Sequence, residues 1–307
     1  MKSYRSILFL LLAVILVSCE RAENPLTSGL SGGEGWFMLN FGASEYNKVE
    51  TKSHQTIVTE SQVKNLYIFI FDSNKNKIYG KFFDSNNHMS ESSVNSSIED
   101  CWHVSNTTTE SGKTTGIVKI KAPAGNGFSI YMLANLDADM VKISSDLLSN
   151  NIHTEDDLLN FNVYMNQAIV LRNNTFAMSG KVTGVNIADG AITSSQFPLS
   201  LKRLDSKIKF IFKTGDRTDE AGQTIKKFEP RQWKVVNVPR TAYIMESPTD
   251  HANVNPAETP SNYSNYAENF FDTGFVNFES FPDAKTGEFA FYMLENRQNP
   301  KNASITK

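Results

Sequence analysis

Two cysteines, five histidines and one acidic triplet are the residues of this 307-residue chain best suited to chemistry. The histidines stand at 54, 88, 103, 153 and 251, and no two have the spacing with which a helix presents a metal-binding pair. No HExxH, CxxC, P-loop or dinucleotide fingerprint occurs. Gly29-Leu30-Ser31-Gly32-Gly33 satisfies G-x-S-x-G, but a nucleophile elbow needs a strand before it and a helix after it. Polar linker-like sequence surrounds it, so a chance match is the better reading. Asp72-Ser73-Asn74-Lys75-Asn76 starts like a calcium loop, yet Lys77 stands where the loop needs glycine and Phe83 where it needs glutamate. A hairpin turn, using Asp and Asn for their tolerance of tight backbone angles, explains it better. Glu155-Asp156-Asp157 suits the positive end of a helix dipole. No catalytic residue, metal ligand or cofactor is expected, and the chain reads as a non-enzyme.

Cys19 has a different context. Lys2 and Arg5 precede an apolar run from Ile7 to Val17 that is too short for a comfortable membrane span and gives way at once to polar sequence. Leu16-Val17-Ser18-Cys19 resembles the bacterial lipoprotein signal, the lipobox. That resemblance implies cleavage between Ser18 and Cys19 and diacylglycerol on the Cys19 sulfur. A single acyl chain holds weakly and stable anchoring takes two or more, which a fully processed lipoprotein carries. Removing residues 1–18 takes away two positive charges, so the net charge moves from −3 to −5. That balance gives no electrostatic case for nucleic acid. Cys101 is then the one thiol left, so an intrachain disulfide is impossible. Next to Trp102 in a polar stretch, it reads as a semi-buried bystander.

The elements that would position these residues are mostly strands. Residues 1–18 read as the signal peptide and 19–35 as a polar, flexible tether that runs into Gly29-Leu30-Ser31-Gly32-Gly33. Order is expected from Trp36, where 36–41 reads as a strand with both faces largely covered. Val63 to Phe71 is the strongest β signal, with Ile78 to Phe83 returning after the turn. Residues 84–115 read as a long mobile insertion. Gly116–Ala122 and Phe128–Ala134 form two further strands. Thr154 and Asp157 suggest a capped helix start ahead of Leu158 and Leu159. A first domain over 36–195 is followed by a second over 196–307, with strands at 197–201, 208–212, 228–238 and 287–294. Short strands, Gly/Pro/Asn punctuation and one brief helical patch indicate an all-β fold of two tandem β-sandwiches. The second block is short for a complete sandwich, so its last strands are expected from beyond this sequence or from another chain.

Several segments, in order, carry a wider resemblance. They are Cys19, Lys64 to Asp72, Ile130 to Leu136, Met178-Ser179-Gly180, Leu199 to Leu204 with Lys207-Ile208, and Phe291 to Arg297. The series resembles the Bacteroidetes fimbrillin-like family of fimbrial subunits, anchors and related lipoproteins. That resemblance implies two transthyretin-like, Ig-like sandwiches and a lipid-anchored, surface-exposed location at the outer membrane. It also implies assembly with other fimbrial subunits by strand exchange, in support of adhesion. In polymerising members an arginine-specific protease removes the first strand, and the open groove takes a strand from a neighbour. Here no arginine lies between Arg21 and Arg172, although Lys48 and Lys52 are open to another protease. Retention of the first strand suits an anchor or cell-bound accessory subunit better than a shaft subunit. A competing reading is a surface lipoprotein that binds host glycan or nutrient, using Tyr243, Tyr263, Tyr266, Phe270 and Phe271 as stacking rings.

Overall fold

In a computed structural model, the structure describes residues 30–43, 62–106, 114–136, 151–164, 176–194, 198–213, 217–226, 231–236, 238–239, 241–245, 270–278 and 286–294. The first block contains β1 (Leu30–Ala43), β2 (Leu66–Phe71), β3 (Lys77–Phe83), α1 (Glu91–Ser96), β4 (Cys101–Ser105) and β5 (Thr114–Ala134). It continues through α2 (Glu155–Leu159), β6 (Asn162–Tyr164), β7 (Met178–Ile187), β8 (Ile192–Ser194) and β9 (Leu199–Arg203). The second block holds β10 (Asp205–Lys213), β11 (Arg217–Thr218), β12 (Thr224–Lys226), β13 (Gln232–Trp233) and β14 (Val238–Pro239). Its remaining strands are β15 (Thr241–Tyr243), β16 (Phe270–Phe271), β17 (Val276–Asn277) and β18 (Thr286–Leu294). The architecture is an all-β sandwich, with two short helices among the described residues.

One strand organises the first block. The first half of β5 pairs with β1 on one edge (Phe41↔Gly116 through Trp36↔Lys121) and with β4 on the other (Cys101↔Lys119). Its second half pairs with β2 and β7 instead (Leu66↔Ala134, Ala134↔Met178). The change of partner falls at Gly125–Phe128, where the register shifts and Gly127 takes φ +74°. β7 pairs with β9, and β9 runs parallel to the end of β1, so the circuit β5–β7–β9–β1–β5 closes. β5 thus belongs to both layers, and the inward side chains of both fill one core.

That first core takes Phe37, Leu39 and Phe41 from β1, with Leu66, Ile68, Ile70, Val118, Ile120, Ile130 and Met132. A second core covers the opposite face of the β2–β5 layer. Phe69, Phe71, Tyr131 and Leu133 meet Leu158 of α2 and, from the second block, Trp233, Val238, Ile244, Phe291 and Leu294. Both faces of β2 are therefore buried, which is why Leu66 to Phe71 is an unbroken apolar run. In the second block β10 pairs with β18 over its whole length, and β15 reaches back to pair with β6.

Several expectations change. Residues 30–35, inside the stretch 19–35 read as tether, belong to β1. Leu30 pairs with Gly125, and Gly33 and Gly35 serve close approach, because a Cβ on either would overlap Asp189 or Ala188. β1 is buried on one face, at 35, 37, 39, 41 and 43, while Trp36, Met38 and Asn40 look outward. The stretch 84–106 is built structure. α1 seats Val94, and β4 buries Cys101 and Trp102 completely or nearly so, at 0% and 2% exposure. The strands expected at 116–122 and 128–134 are one strand of 21 residues. β9 belongs to the sheet of the first block, since Met178↔Arg203 and Phe41↔Leu199 tie it there. Around Trp233 the described residues hold two-residue strands at 232–233 and 238–239 in place of one strand over 228–238.

Candidate functional site

The site is the groove that β1 fills. β1 is hydrogen-bonded along both edges, antiparallel to β5 and parallel to β8 (Trp36↔Ile192) and β9. At its start the Trp36 amide donates to Ala191 O at 2.9 Å, and the Gly190 amide donates to Glu34 O at 2.9 Å. Lys121 pairs with Glu34 across the strands at 2.6 Å. At its end the Phe41 ring lies over Gly116, its cross-strand partner, in the space a side chain there would need. Phe37, Leu39, Phe41 and Ala43 of β1 go to the first core, and among the described side chains none of β1 belongs to the second. Chemically this is a backbone ladder plus alternating apolar pockets, the equipment for holding an extended chain.

The surrounding frame is fixed by polar residues that composition alone does not single out. Lys119, 2% exposed, donates from Nζ to Ser97 O at 2.8 Å and Asn95 O at 3.2 Å, carbonyls at the C-terminal end of α1. Its ammonium also sits 5.0 Å from the Trp36 ring centre, a cation–π contact. Asp100 accepts from Tyr79 Oη (3.0 Å), Lys81 Nζ (3.1 Å) and the Lys121 amide (2.6 Å), linking β3 to β5. Burial, and then the Asp100 carboxylate, push the Tyr79 hydroxyl far above the ordinary tyrosine range. Asn135 ends β5 at φ +58° and ties three segments together. Its Oδ1 accepts from the Lys64 amide (2.8 Å), and its Nδ2 donates to Gln62 O (2.7 Å) and Phe176 O (2.8 Å). A left-handed backbone with a side chain that can bond in several directions suits Asn. The one local clue was an Asn closing the apolar run Ile130 to Ala134.

The other residues singled out by sequence fall as follows. Ser18, Cys19, Lys48 and Lys52 lie outside the described residues, as do His54 and His251. Cys101 is a buried thiol opposite Lys119. Asp72 Oδ1 accepts from the Asn74 and Asn76 amides and Lys75 has φ +67°, so 72–76 is the hairpin turn expected. Thr154 and Asp157 form the expected capping box. The Thr154 and His153 amides hold the Asp157 carboxyl below its usual range. Glu155 accepts from Tyr131 Oη at 2.5 Å and Asp156 pairs with Lys75 at 2.9 Å, so α2 is tied to β5 and to the β2–β3 turn. Burial, with that hydrogen bond, raises the Tyr131 hydroxyl well above its ordinary value. His88 and His103 sit 5.3 Å apart beside Trp102, and among the described residues no cluster of metal-ligating side chains occurs. Of the aromatics offered for glycan stacking, Tyr243 is half-buried in β15, Phe270 and Phe271 form β16, and Tyr263 and Tyr266 lie outside the described residues.

No family model and no curated protein matches the chain. Solved structures do. One is a fimbrial assembly protein from Parabacteroides distasonis, 14% identical, with 86% of this chain and 78% of that one covered and a TM-score of 0.46. Another is the fimbrial anchor protein Mfa2 from Porphyromonas gingivalis, 10% identical, covering 86% and 74% at a TM-score of 0.42. The solved structures it resembles thus include a fimbrial assembly protein and a fimbrial anchor protein. Among the described residues no helix is long and apolar enough to cross a membrane.

Proposed function

We propose that this chain is a lipid-anchored cell-surface fimbrial subunit of the anchor or accessory kind, joined to other subunits by strand exchange at the β1 groove and supporting adhesion. The observation that carries the reading is the placement of β1. It closes the sheet circuit and is bonded on both edges, yet its side chains serve one core only. Taking it out would bare two backbone ladders and an apolar groove while leaving the second core filled. Such a groove is a template for a strand supplied in trans, which would displace β1 from the groove while leaving it covalently joined to the chain. The same strand follows closely on Cys19, the lipid-attachment residue of the lipobox, so a chain that keeps β1 keeps its link to the outer membrane. The absence of arginine from 22 to 171 favours that outcome. The two blocks act as a pair, the second covering the outer face of β2 and β5.

Replacing Cys19 by Ala in the producing bacterium tests the proposal. The expected result is release of the chain into the medium together with fibre subunits. Cells that keep both the chain and their fibres after Cys19→Ala would refute the anchor role.

A further inference from the structure

We infer that the β1 groove reads the register of the strand it holds through two glycine contacts, and that it accepts strands carrying a glycine six positions before an aromatic ring. The inference rests on the reading that β1 is exchangeable.

The first contact is at Gly35. A Cβ there would overlap the Ala188 carbonyl oxygen and come within 3.0 Å of Ile187 Cγ2. A carbonyl cannot rotate aside as a flexible side chain can, and the Gly190 and Ala191 hydrogen bonds hold this turn against the start of β1. The second contact is at Gly116, where an added Cβ would strike the Phe41 ring and stand 2.7 Å from the His103 carbonyl. The ring of Phe41 fills that hollow, the device by which an aromatic covers a strand glycine. Between the two, Phe37 and Leu39 enter ordinary apolar space in the first core.

Together these contacts exclude slipped pairings. A one-residue slip turns the apolar face outward. A two-residue slip in one direction drives Phe37 into the Ala188 carbonyl. A two-residue slip in the other direction replaces the ring over Gly116 by Leu39. Antiparallel pairing to β5 and parallel pairing to β8 and β9 fix the direction. The occupant is therefore an extended segment with glycine first, apolar residues at the next two alternate positions, and an aromatic at the third.

The test uses the full chain with a site-specific protease sequence inserted between residues 44 and 62. After cutting, fluorescent peptides spanning residues 30–43 are offered in native form and with Gly35→Val, Phe41→Ala or Asn40→Gln. Retention on the protein is measured by size exclusion. Native and Asn40→Gln peptides are expected to agree within about twofold, because residue 40 faces solvent. Gly35→Val and Phe41→Ala are expected to bind at least about tenfold more weakly, from overpacking and from a cavity respectively. Equal retention of all four would overturn the register reading and leave strand exchange standing. Retention of none, the native peptide included, would overturn exchange at β1 itself.

Discussion

Asn135 holds the ends of β2, β5 and β7 together from a single side chain. Replacing it by Ala removes partners from the Lys64 amide and from two carbonyls while keeping a Cβ at positive φ. The expected cost is about 3 kcal/mol of unfolding free energy, read from the urea midpoint. Asn135→Gly should recover roughly 1 kcal/mol of that through relief at the backbone, and no more. A cost equal for both substitutions would mean that backbone strain plays no part. At this scale the sequence is an uneven guide. The Asp72 turn and the Thr154–Asp157 box are legible because their partners lie within four residues. Asn135, Asp100 and Lys119 are not, because their partners come from 19 to 73 residues away.

Among the elements, two tyrosines act as fasteners, Tyr79 of β3 to Asp100 and Tyr131 of β5 to Glu155 of α2. Both hydroxyls lie above the ordinary tyrosine value in the fold. In the unfolded chain they ionise near pH 10. Above that pH the native state binds more protons than the unfolded one, so stability falls as pH rises, whereas below it the contribution is fully present. Urea unfolding between about pH 8 and about pH 11 should show this decline. A Tyr79→Phe, Tyr131→Phe double variant should flatten it, and an unchanged slope would remove the tyrosines from the explanation. Element identity follows well from pattern: period-two burial in β1 and the covered run of β2 are both written in residue type. Pairing is not. Nothing local says that 116–134 is one bent strand, or that Leu199–Arg203 joins the first sheet, because the partners of a strand are chosen by distant residues.

Across the whole molecule the second core binds the two blocks. Phe291 of β18 lies in the same cluster as Phe69 and Tyr131. Phe291→Ala should cost about 3 to 4 kcal/mol. The loss should register equally in tryptophan fluorescence and in hydrogen exchange of the β2 amides, since one core supports both blocks. Destabilisation confined to the second block would show that the blocks unfold independently. Among the described residues no side chain of β1 enters this core, so the molecule divides into a body held by the second core and a strand that closes the first.

Mass spectrometry of the protein extracted from the cell surface tests most directly whether that closing strand stays joined to the lipid. The expected result is an acylated Cys19 at the N-terminus of a chain continuous through residues 30–43. A mature N-terminus near Lys48 or Lys52, with β1 gone, would contradict the anchor reading and make the chain a shaft subunit.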